Sequence, residues 1–527
     1  MFIKTTDESK CESVPTTGVV ESSCSFEDTI KPSDEIMKLF KLTYTFPKDP
    51  SKISKRQIRT TEIKMNKLFH KVINSQDTTF VDIITLAYIC EQICFTYMKL
   101  NQTENLSAAR DSILCCLHLI KDKELDPKII LLTLKAYSHL SYIYHKQKKL
   151  ENAIKILDNA VDLYLIYMKE HREYDIPIDY EDIIKPSEQI KNGYSKLKSL
   201  YRHILQTLID VHTEMGSKTN ESFMQSRHLL LMDELNSLQT FKEHIQWIEK
   251  AMIVCNYLIM YNRFGEVRNY FDEIFVVQKN TYAKYNDILG KKTFSEEYKL
   301  YEKCMVAFKL TSLCYAKYNV ALLRQSVERQ LRLEKNENSK TNNSTIKYPS
   351  KSKERASRRL LVFAPNEKAY FNTDTYYSAY LFADILNYNE AQKKFSDVLA
   401  EIYEPELHHT LVDVNYYVSF ILYISKMYKY IAFYEKDTAS QFLLRKRRAE
   451  ILETAENFLG NKNDCKLLLW LQLTIAYSIL IDMKVEDLEA APLSYLPQRH
   501  DTLVDEINTL VESALIFLRK YKCYNLI

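Results

Sequence analysis

One stretch in the first third of the chain strongly constrains the fold. In residues 134–170, the small side chains of Ser141, Ala153 and Ala160 are interleaved with large apolar ones, and a polar turn separates two segments. Ala153, Leu157 and Ala160 are four and then three residues apart, which places them on one helical face. Small residues on such a face let two antiparallel helices approach closely. The stretch therefore predicts a helical hairpin.

The same spacing occurs in an earlier and a later helix. The earlier set is Ala109, Ile113 and Cys116, and the later set is Val267, Phe271 and Ile274. This spacing is typical of tetratricopeptide repeats, in which one hairpin cannot bury both of its faces and therefore stacks on further copies. We predict an all-α, tetratricopeptide-like, right-handed helical solenoid of antiparallel helix pairs, in two halves joined by a loop. A chance match by an ordinary amphipathic hairpin is the alternative.

Glycine is scarce. The 527 residues include only six glycines, and no two of them are close enough to form a loop that cradles phosphate. A P-loop, a dinucleotide-binding fingerprint and a nucleophile elbow are excluded on that ground. The six are Gly18, Gly193, Gly216, Gly265, Gly290 and Gly460.

Charge and cysteine content restrict the partners and the compartment. The 72 basic residues nearly balance the 69 acidic ones, so nothing global indicates nucleic acid. An odd number of scattered cysteines, eleven, favours a reducing compartment. Cys90 and Cys94 lie one helical turn apart, but no second pair of ligands has metal-binding spacing. We predict buried thiols, no metal and no cofactor.

The sequence has no clear membrane or catalytic signal. The best membrane candidate, Leu467–Ile481, is shorter than the roughly 20 residues needed to span a bilayer, so we predict a buried core helix and no membrane insertion. No HExxH run occurs, and adjacent His408 and His409 would point about 100° apart on a helix. We predict that the protein is not an enzyme. An all-α enzyme in which a cysteine and a histidine meet in space is a less favoured alternative.

Composition divides the chain into four parts. Residues 1–33 read as a disordered leader, and 34–334 as an N-terminal helical array. A polar, basic loop follows at 335–357. We interpret it as solvated, although its lysines and arginines could also be an import signal or a nucleic-acid patch. Residues 358–527 are predicted to form a C-terminal subdomain of helix pairs with long helices.

The predicted C-terminal subdomain contains a very long helical stretch, from about Glu406 to Leu459. An aromatic stripe runs along it at intervals of three or four residues, which favours a packed core over a ligand box. Its members are Tyr416, Phe420, Tyr423, Met427, Tyr430 and Tyr434.

Within this stretch, residues 428–453 read YKYIAFYEKDTASQFLLRKRRAEILE. They resemble the signature of the KIF-binding protein family, in which an aliphatic-alanine-aromatic-aromatic-glutamate run precedes a basic cluster and a leucine-glutamate end. The matching positions are Ile431 to Glu435, Lys446, Arg447, Arg448, Leu452 and Glu453. The resemblance is collinear from about residue 85 to residue 522. The leader and the loop at 335–357 do not resemble the family, and the chain stops about one helical pair early.

The resemblance implies a function. Members of this family bind kinesin motor domains and block microtubule attachment, and so control the transport of mitochondria and other cargo, notably in neurons. By this resemblance we expect a cytoplasmic, cytoskeleton-associated monomer that binds motor domains. Which kinesins it binds, and whether the basic cluster at Arg445 to Arg448 is structural or contacts a partner, stay open.

A motor's track-binding face is basic because tubulin is acidic, so a competitor should present acids, amides and aromatic residues. Two predicted helices supply these residue types. Each of their residues could instead be solvated or a helix cap, and Trp247 could be a core anchor. The candidates are Tyr201, Gln206, Asp210, His212 and Glu214 on one helix, and Gln239, Glu243, Gln246 and Trp247 on a later one.

Other binding classes fit the same predicted fold. A chaperone adaptor would clamp a terminal carboxylate with Lys and Asn on the first helix of its repeat. The corresponding positions of the best-formed unit hold Ser138 and Tyr142, so this clamp is missing there. A generic tetratricopeptide scaffold is the remaining alternative.

Overall fold

The computed structural model describes most of the chain between residues 31 and 525. In these residues it contains sixteen α-helices and no β-strand, so the predicted all-α class is confirmed for them. The predicted leader up to residue 30 and the predicted loop from residue 339 to 357 lie outside the described residues. The described ranges are 31–47, 49, 52, 54–75, 78–100, 103–170, 176–180, 193–217, 220–288, 294–338, 361–363, 387–403, 414–459, 465–490 and 497–525.

The chain divides into two compact units. The first comprises residues 1–143 and 176–193, and the second comprises 144–175 and 194–527. The predicted division at the loop 335–357 stays a prediction, as do the handedness and the solenoid form. The first unit contains four complete helices and most of a fifth, α5, whose last three residues belong to the second unit. These helices are α1 (Asp34–Tyr44), α2 (Lys55–Asn74), α3 (Phe80–Lys99), α4 (Thr103–Leu119) and α5 (Ile130–Lys146).

Helix α3 is the centre of the first unit. It begins at the N-cap Thr79, whose hydroxyl accepts a hydrogen bond from the backbone N–H of Asp82. It packs against α1, α2 and α4, and it buries Cys90 and Cys94 completely. Burial raises the pKa of both thiols. The prediction that these cysteines behave as buried apolar groups is therefore confirmed.

The segment from residue 176 to 180 belongs to the first unit. The N–H of Ile178 donates to the carbonyl oxygen of Pro127 at 3.0 Å, and the Tyr180 hydroxyl donates to the hydroxyl of Thr85 at 2.7 Å. A Cβ added at Gly193 would lie 1.7 Å from the carbonyl oxygen of Pro177. Only glycine allows this close approach of two backbones.

Eleven further helices of the described residues belong to the second unit, apart from Gly193 at the start of α7. In chain order they are α6 (Leu150–Glu170), α7 (Gly193–Glu214), α8 (Glu221–Leu235), α9 (Phe241–Met260), α10 (Phe264–Ile288), α11 (Phe294–Asn338), α12 (Tyr388–Tyr403), α13 (Val414–Tyr434), α14 (Thr438–Phe458), α15 (Cys465–Ala490) and α16 (Pro497–Asn525).

From α8 onward each helix packs against the next one along the chain. Alternate helices also pack together: α9 on α11, α11 on α13, and α13 on α15. Neighbour and next-neighbour packing of this kind is expected when helical pairs bury their apolar faces on one another in succession.

The positions that carried the repeat prediction are buried. All nine residues of the three sets are at most 2% exposed: Ala109, Ile113, Cys116, Ala153, Leu157, Ala160, Val267, Phe271 and Ile274. The turns before α6 and α10 also match, because each has one left-handed residue, Lys148 with φ 59° and Asn262 with φ 56°. A left-handed residue at a helix end permits the backbone hydrogen bonds that close the last turn.

The predicted continuous stretch from 406 to 459 is divided in the structure. Residues 404–413 lie outside the described part, and the remainder forms α13 and α14. The break occurs at Asp437, whose carboxylate accepts a hydrogen bond from the N–H of Ser440 at 2.8 Å and caps α14. The aromatic stripe on α13 is mostly half-buried, with Phe420 and Met427 fully in the core.

The basic cluster on α14 is partly structural. Lys446 and Arg447 are exposed, whereas Arg448 is 2% exposed. The Arg448 guanidinium donates to the Ser425 hydroxyl at 3.2 Å and to the Gln472 side-chain oxygen at 3.0 Å. Arg448 therefore links α14 to α13 and α15.

Two helices of the described residues, at Phe80–Lys99 and Lys466–Ala490, are long and apolar enough to cross a membrane by length and composition. Of the most apolar windows in these helices, 67% and 39% of the residues are buried, respectively. The prediction that Leu467–Ile481 forms a buried core helix is corrected here. The helix continues to Ala490, and only one of its faces is buried. Leu468 and Ile475 on that helix are exposed.

Replacing Ala153 with Phe tests the close-packed repeat position. Because Ala153 is fully buried, the larger ring should overpack its surroundings and lower the free energy of unfolding by about 1–3 kcal/mol. Thermal and urea unfolding measure the change. The matched control is Asn152→Phe at the exposed neighbouring position. Equal unfolding of the two variants would contradict close packing at Ala153.

Candidate partner-binding surface

Helix α7 presents a narrow polar stripe. Ile204, Leu205 and Leu208 are buried, whereas Gln206, Asp210 and Glu214, spaced by four residues, are exposed. Four-residue spacing places the three side chains one above another on the helix surface. After α7 the chain turns at Gly216, whose φ of 75° favours glycine. 

In the polar stripe on α7, Gln206–Asp210–Glu214, the first two side chains bind each other and the third binds residues outside the helix. The Gln206 amide donates to the Asp210 carboxylate at 3.0 Å. Glu214 forms an ion pair with Lys148 at 2.8 Å, and its carboxylate is hydrogen-bonded to Nε2 of His145 at 2.5 Å. The hydrogen bond from Lys148, which has the larger effect, and that with His145 lower the pKa of Glu214 to about 2.

The second candidate group lies at the start of α9. Thr240 and Glu243 form a capping box: the Thr240 hydroxyl accepts from the N–H of Glu243, and the Glu243 carboxylate accepts from the N–H of Thr240 at 2.8 Å. The N–H of Gln239, two residues before the helix, donates to the same carboxylate at 2.9 Å. These backbone hydrogen bonds, from Thr240 and then Gln239, lower the pKa of Glu243. The capping alternative for Glu243 is thus confirmed.

Gln239, Glu243 and Gln246 are all exposed. The described residues record no contact between this group and the polar stripe on α7. Six of the nine candidate residues are therefore on the surface, in two separate groups on different elements.

The other three candidates, Tyr201, His212 and Trp247, are 4%, 1% and 0% exposed. Tyr201 stacks on Tyr164 of α6 with ring centroids 3.6 Å apart. The Trp247 indole N–H donates to the carbonyl oxygen of Leu231 at 2.9 Å, as expected of a core anchor. Burial of these side chains argues against direct contact with a partner, and we narrow the candidate surface to the six exposed residues.

His212 belongs instead to a small, partly buried network. Its Nε2 lies 3.3 Å from the hydroxyl of Ser222, which in turn donates to the carboxylate of Asp158 at 3.3 Å. Burial lowers the pKa of His212, which favours the neutral imidazole at neutral pH. The network links α6, α7 and α8, and so it supports the helix that carries the polar stripe.

Sequence reasoning missed several charged residues beside the candidates. Lys148 and His145 are far from Glu214 in sequence, and no local pattern pairs them. Lys198 and Arg202, on α7, form ion pairs with Asp233 at 3.0 Å and 2.6 Å. The basic residues lie in the first half of α7 and the acidic ones in its second half, a polarity that the sequence does show.

In the described part of the chain, no group of three or more histidine, cysteine, aspartate or glutamate side chains is arranged to hold a metal ion. The prediction of no metal and no cofactor stays a prediction.

Comparisons with known proteins give a consistent result. A model of the family described as "KIF-1 binding protein C terminal" matches residues 219–524. A zebrafish (Danio rerio) protein named "KIF-binding protein" is 21% identical over 436 residues, covering 80% of this chain and 66% of the relative. The human (Homo sapiens) protein of the same name is 23% identical over 441 residues, with coverages of 80% and 66%. The aligned region thus spans slightly less than two thirds of these relatives.

Among solved structures, "Kinesin binding protein (KBP)" aligns over 92% of this chain and 81% of that chain. The sequence identity is 15% and the TM-score is 0.42. A TM-score of this size supports no argument about shape.

The paired carboxylate at the end of the polar stripe predicts a pH effect. Since the pKa of Glu214 falls from 4.5 to about 2 on folding, its ionised form stabilises the fold above about pH 4.5, and this contribution is lost as the pH falls toward 2. The wild type should have a higher Tm than Glu214→Gln at about pH 6, and the difference should shrink between pH 4.5 and pH 2.

The control for this experiment is the same substitution in a Lys148→Met background. The Tm difference should be smaller there, because one of the two hydrogen-bond partners of Glu214 is absent. A Tm difference that does not change with pH would contradict the assigned contacts of Glu214.

Proposed function

Because this chain belongs to the KIF-1 binding protein family, we propose that it binds kinesin motor domains and lowers their attachment to microtubules without catalysing a reaction. The family resemblance found in the sequence is confirmed by the family match over residues 219–524. That match is the observation on which the proposal rests. Through it the protein would regulate the transport of mitochondria and other cargo, in the cytoplasm and in association with the cytoskeleton.

The relatives' names support the first half of the proposal. The zebrafish and human relatives are named for binding KIF proteins. The aligned region covers 66% of each of them. That this chain also binds a KIF protein is therefore a proposal. The proposal goes further in two respects: this protein would bind the motor domain of the kinesin, and it would release that domain from the microtubule.

The exposed groups on α7 and at the start of α9 are the proposed contact residues. They combine carboxylates with amides, a composition suited to a basic motor face. Asp210 and Gln206 are the best residues for testing the contact, since their side chains are hydrogen-bonded to each other within one helix. Glu214 and Glu243 already stabilise the fold through an ion pair and a helix cap, so their carboxylates would serve two purposes.

This double use changes how the surface must be tested. Glu214→Lys would place a positive charge beside Lys148 and remove the carboxylate that His145 contacts, and Glu243→Lys would remove the capping carboxylate. Either variant could lose binding through the fold alone. Glu243→Gln keeps a side-chain oxygen that can accept the capping hydrogen bonds while it removes the charge.

The central experiment is co-sedimentation of motor domains with microtubules. Purified protein should shift motor domains into the supernatant in a dose-dependent manner. If every motor domain tested stays on the microtubules, the proposed function is wrong. If the protein instead captures a chaperone's terminal peptide and no motor, the adaptor alternative holds.

The proposed surface is tested by the double variant Gln206→Lys and Asp210→Lys. Like charges facing a basic motor should weaken binding about tenfold, which corresponds to about 1.4 kcal/mol. The matched control is Asn508→Lys and Glu512→Lys, an exposed amide and carboxylate with the same four-residue spacing on α16. Binding is measured by titration with a labelled motor domain.

If both double variants bind as tightly as the wild type, the chosen face is wrong while the proposed function stands. If both lose binding equally, net charge rather than this surface controls the interaction.

Salt dependence gives an independent check. A contact between carboxylates and a basic motor face should weaken as ionic strength rises, because the Debye length falls from about 10 Å at 0.1 M to about 3 Å at 1 M. The association rate should fall most. An affinity that is unchanged over this range would contradict an electrostatic contact.

A further inference from the structure

Three residues between α11 and α12 in sequence lie in the interior among earlier helices. Leu361, Val362 and Phe363 are non-helical and only 1%, 5% and 5% exposed. Sequence reasoning assigned them to the C-terminal subdomain, yet their contacts are with α8, α9 and α10. All of these elements belong to the second unit.

The backbone of this segment is held by side chains of α10. The N–H of Leu361 donates to the Glu266 carboxylate at 2.7 Å. The N–H of Phe363 donates to the side-chain oxygen of Asn269 at 2.5 Å, and the Asn269 amide N–H donates back to the carbonyl oxygen of Phe363 at 3.2 Å. Glu266 and Asn269 are three residues apart on one helical face, and so they bind alternate residues of an extended chain.

The acceptor on Glu266 is fixed in place by Arg263. The Arg263 guanidinium donates through Nε to one carboxylate oxygen of Glu266 at 2.5 Å and through a second nitrogen to the other. It also lies 3.4 Å from Glu221 at the start of α8. Arg263 thus orients the carboxylate that accepts the N–H of Leu361.

The Phe363 ring occupies an aromatic pocket. Its centroid lies 4.7 Å from that of Tyr270, 5.2 Å from His228 and 5.7 Å from Trp247. Tyr270 and His228 are joined by a 2.6 Å hydrogen bond, and Trp247 is anchored to Leu231. Burial lowers the pKa of His228 to about 3, so the pocket is uncharged at neutral pH. The pocket walls are therefore held by bonds that do not involve the ring they surround.

These contacts have the character of ligand recognition. A bidentate side-chain amide binds the N–H and C=O of any residue in an extended chain, while a pocket for an alternate side chain adds selectivity. We infer that Glu266, Asn269 and the aromatic pocket form a receptor groove for an extended peptide with an aliphatic residue two positions before an aromatic one. Its resident occupant is this chain's own Leu361–Phe363.

Occupation by the chain itself has a consequence for competitors. A tethered ligand competes at an effective concentration on the order of millimolar. A peptide of the same pattern from outside the chain therefore binds weakly unless the resident segment is weakened or removed.

The first experiment uses a labelled peptide with the sequence of residues 359–365, RLLVFAP, and fluorescence anisotropy. The double variant Leu361→Ala and Phe363→Ala, in the full chain, should bind it at least tenfold more tightly than the wild type. Adding Asn269→Ala should reverse this gain, whereas adding Asn280→Ala, at an exposed position of α10, should not. A peptide in which the phenylalanine is replaced by alanine should bind at least tenfold more weakly.

If the double variant is folded by circular dichroism and does not bind the peptide better than the wild type, the groove is ordinary core and the inference is wrong. Binding that survives Asn269→Ala would equally overturn it, since the clamp would then play no part.

A second experiment covers the case in which the double variant fails to fold. Protease sites placed after residues 345 and 367 leave the native segment intact and free its ends on cleavage. An excess of the labelled peptide should then exchange with the resident segment, as seen by gel filtration and mass spectrometry. A cleaved protein that retains the resident and takes up no label would overturn the inference. Neither experiment depends on a kinesin partner.

Discussion

The burial of three residues spaced four and three apart on each of α4, α6 and α10 is the constraint on which the packing of the described helices depends. Ala153, Leu157 and Ala160 are completely buried, and so are their counterparts in α4 and nearly so in α10. An isolated hairpin would leave one face of such a helix in water, at a cost of about 25 cal/mol per Å² of apolar surface. Succession of helices removes that cost, which is why alternate helices of the second unit pack together.

The surface available to a partner is what this packing leaves over. The exposed face of α7 includes the polar stripe, and that of α9 includes the first turn. Both contribute to stability locally, through the ion pair of Glu214 and the capping box of Glu243. A substitution of either glutamate therefore alters the fold as well as the surface that a partner would contact.

Local features of the sequence predicted local features of the structure. The spacing of Ala153, Leu157 and Ala160 predicted one packed helical face, and all three residues are buried as expected. Contacts between distant residues could not be predicted, such as Lys148 with Glu214, 66 residues apart, or Asn269 with Phe363, 94 apart. The burial of Tyr201 and His212 was missed for the same reason, since their covering partners, Tyr164 and Ser222, lie on other helices.

Arg448 illustrates what a sequence signature records. Two neighbours in its basic cluster are exposed, but Arg448 is buried and donates to the Ser425 hydroxyl on α13 and the Gln472 side-chain oxygen on α15. Burial lowers the pKa of Arg448 to about 10, which still leaves the guanidinium charged at neutral pH. At this position the family signature therefore records a requirement of the interior. A chain could keep this part of the signature while its surface, and with it the set of proteins it binds, diverged.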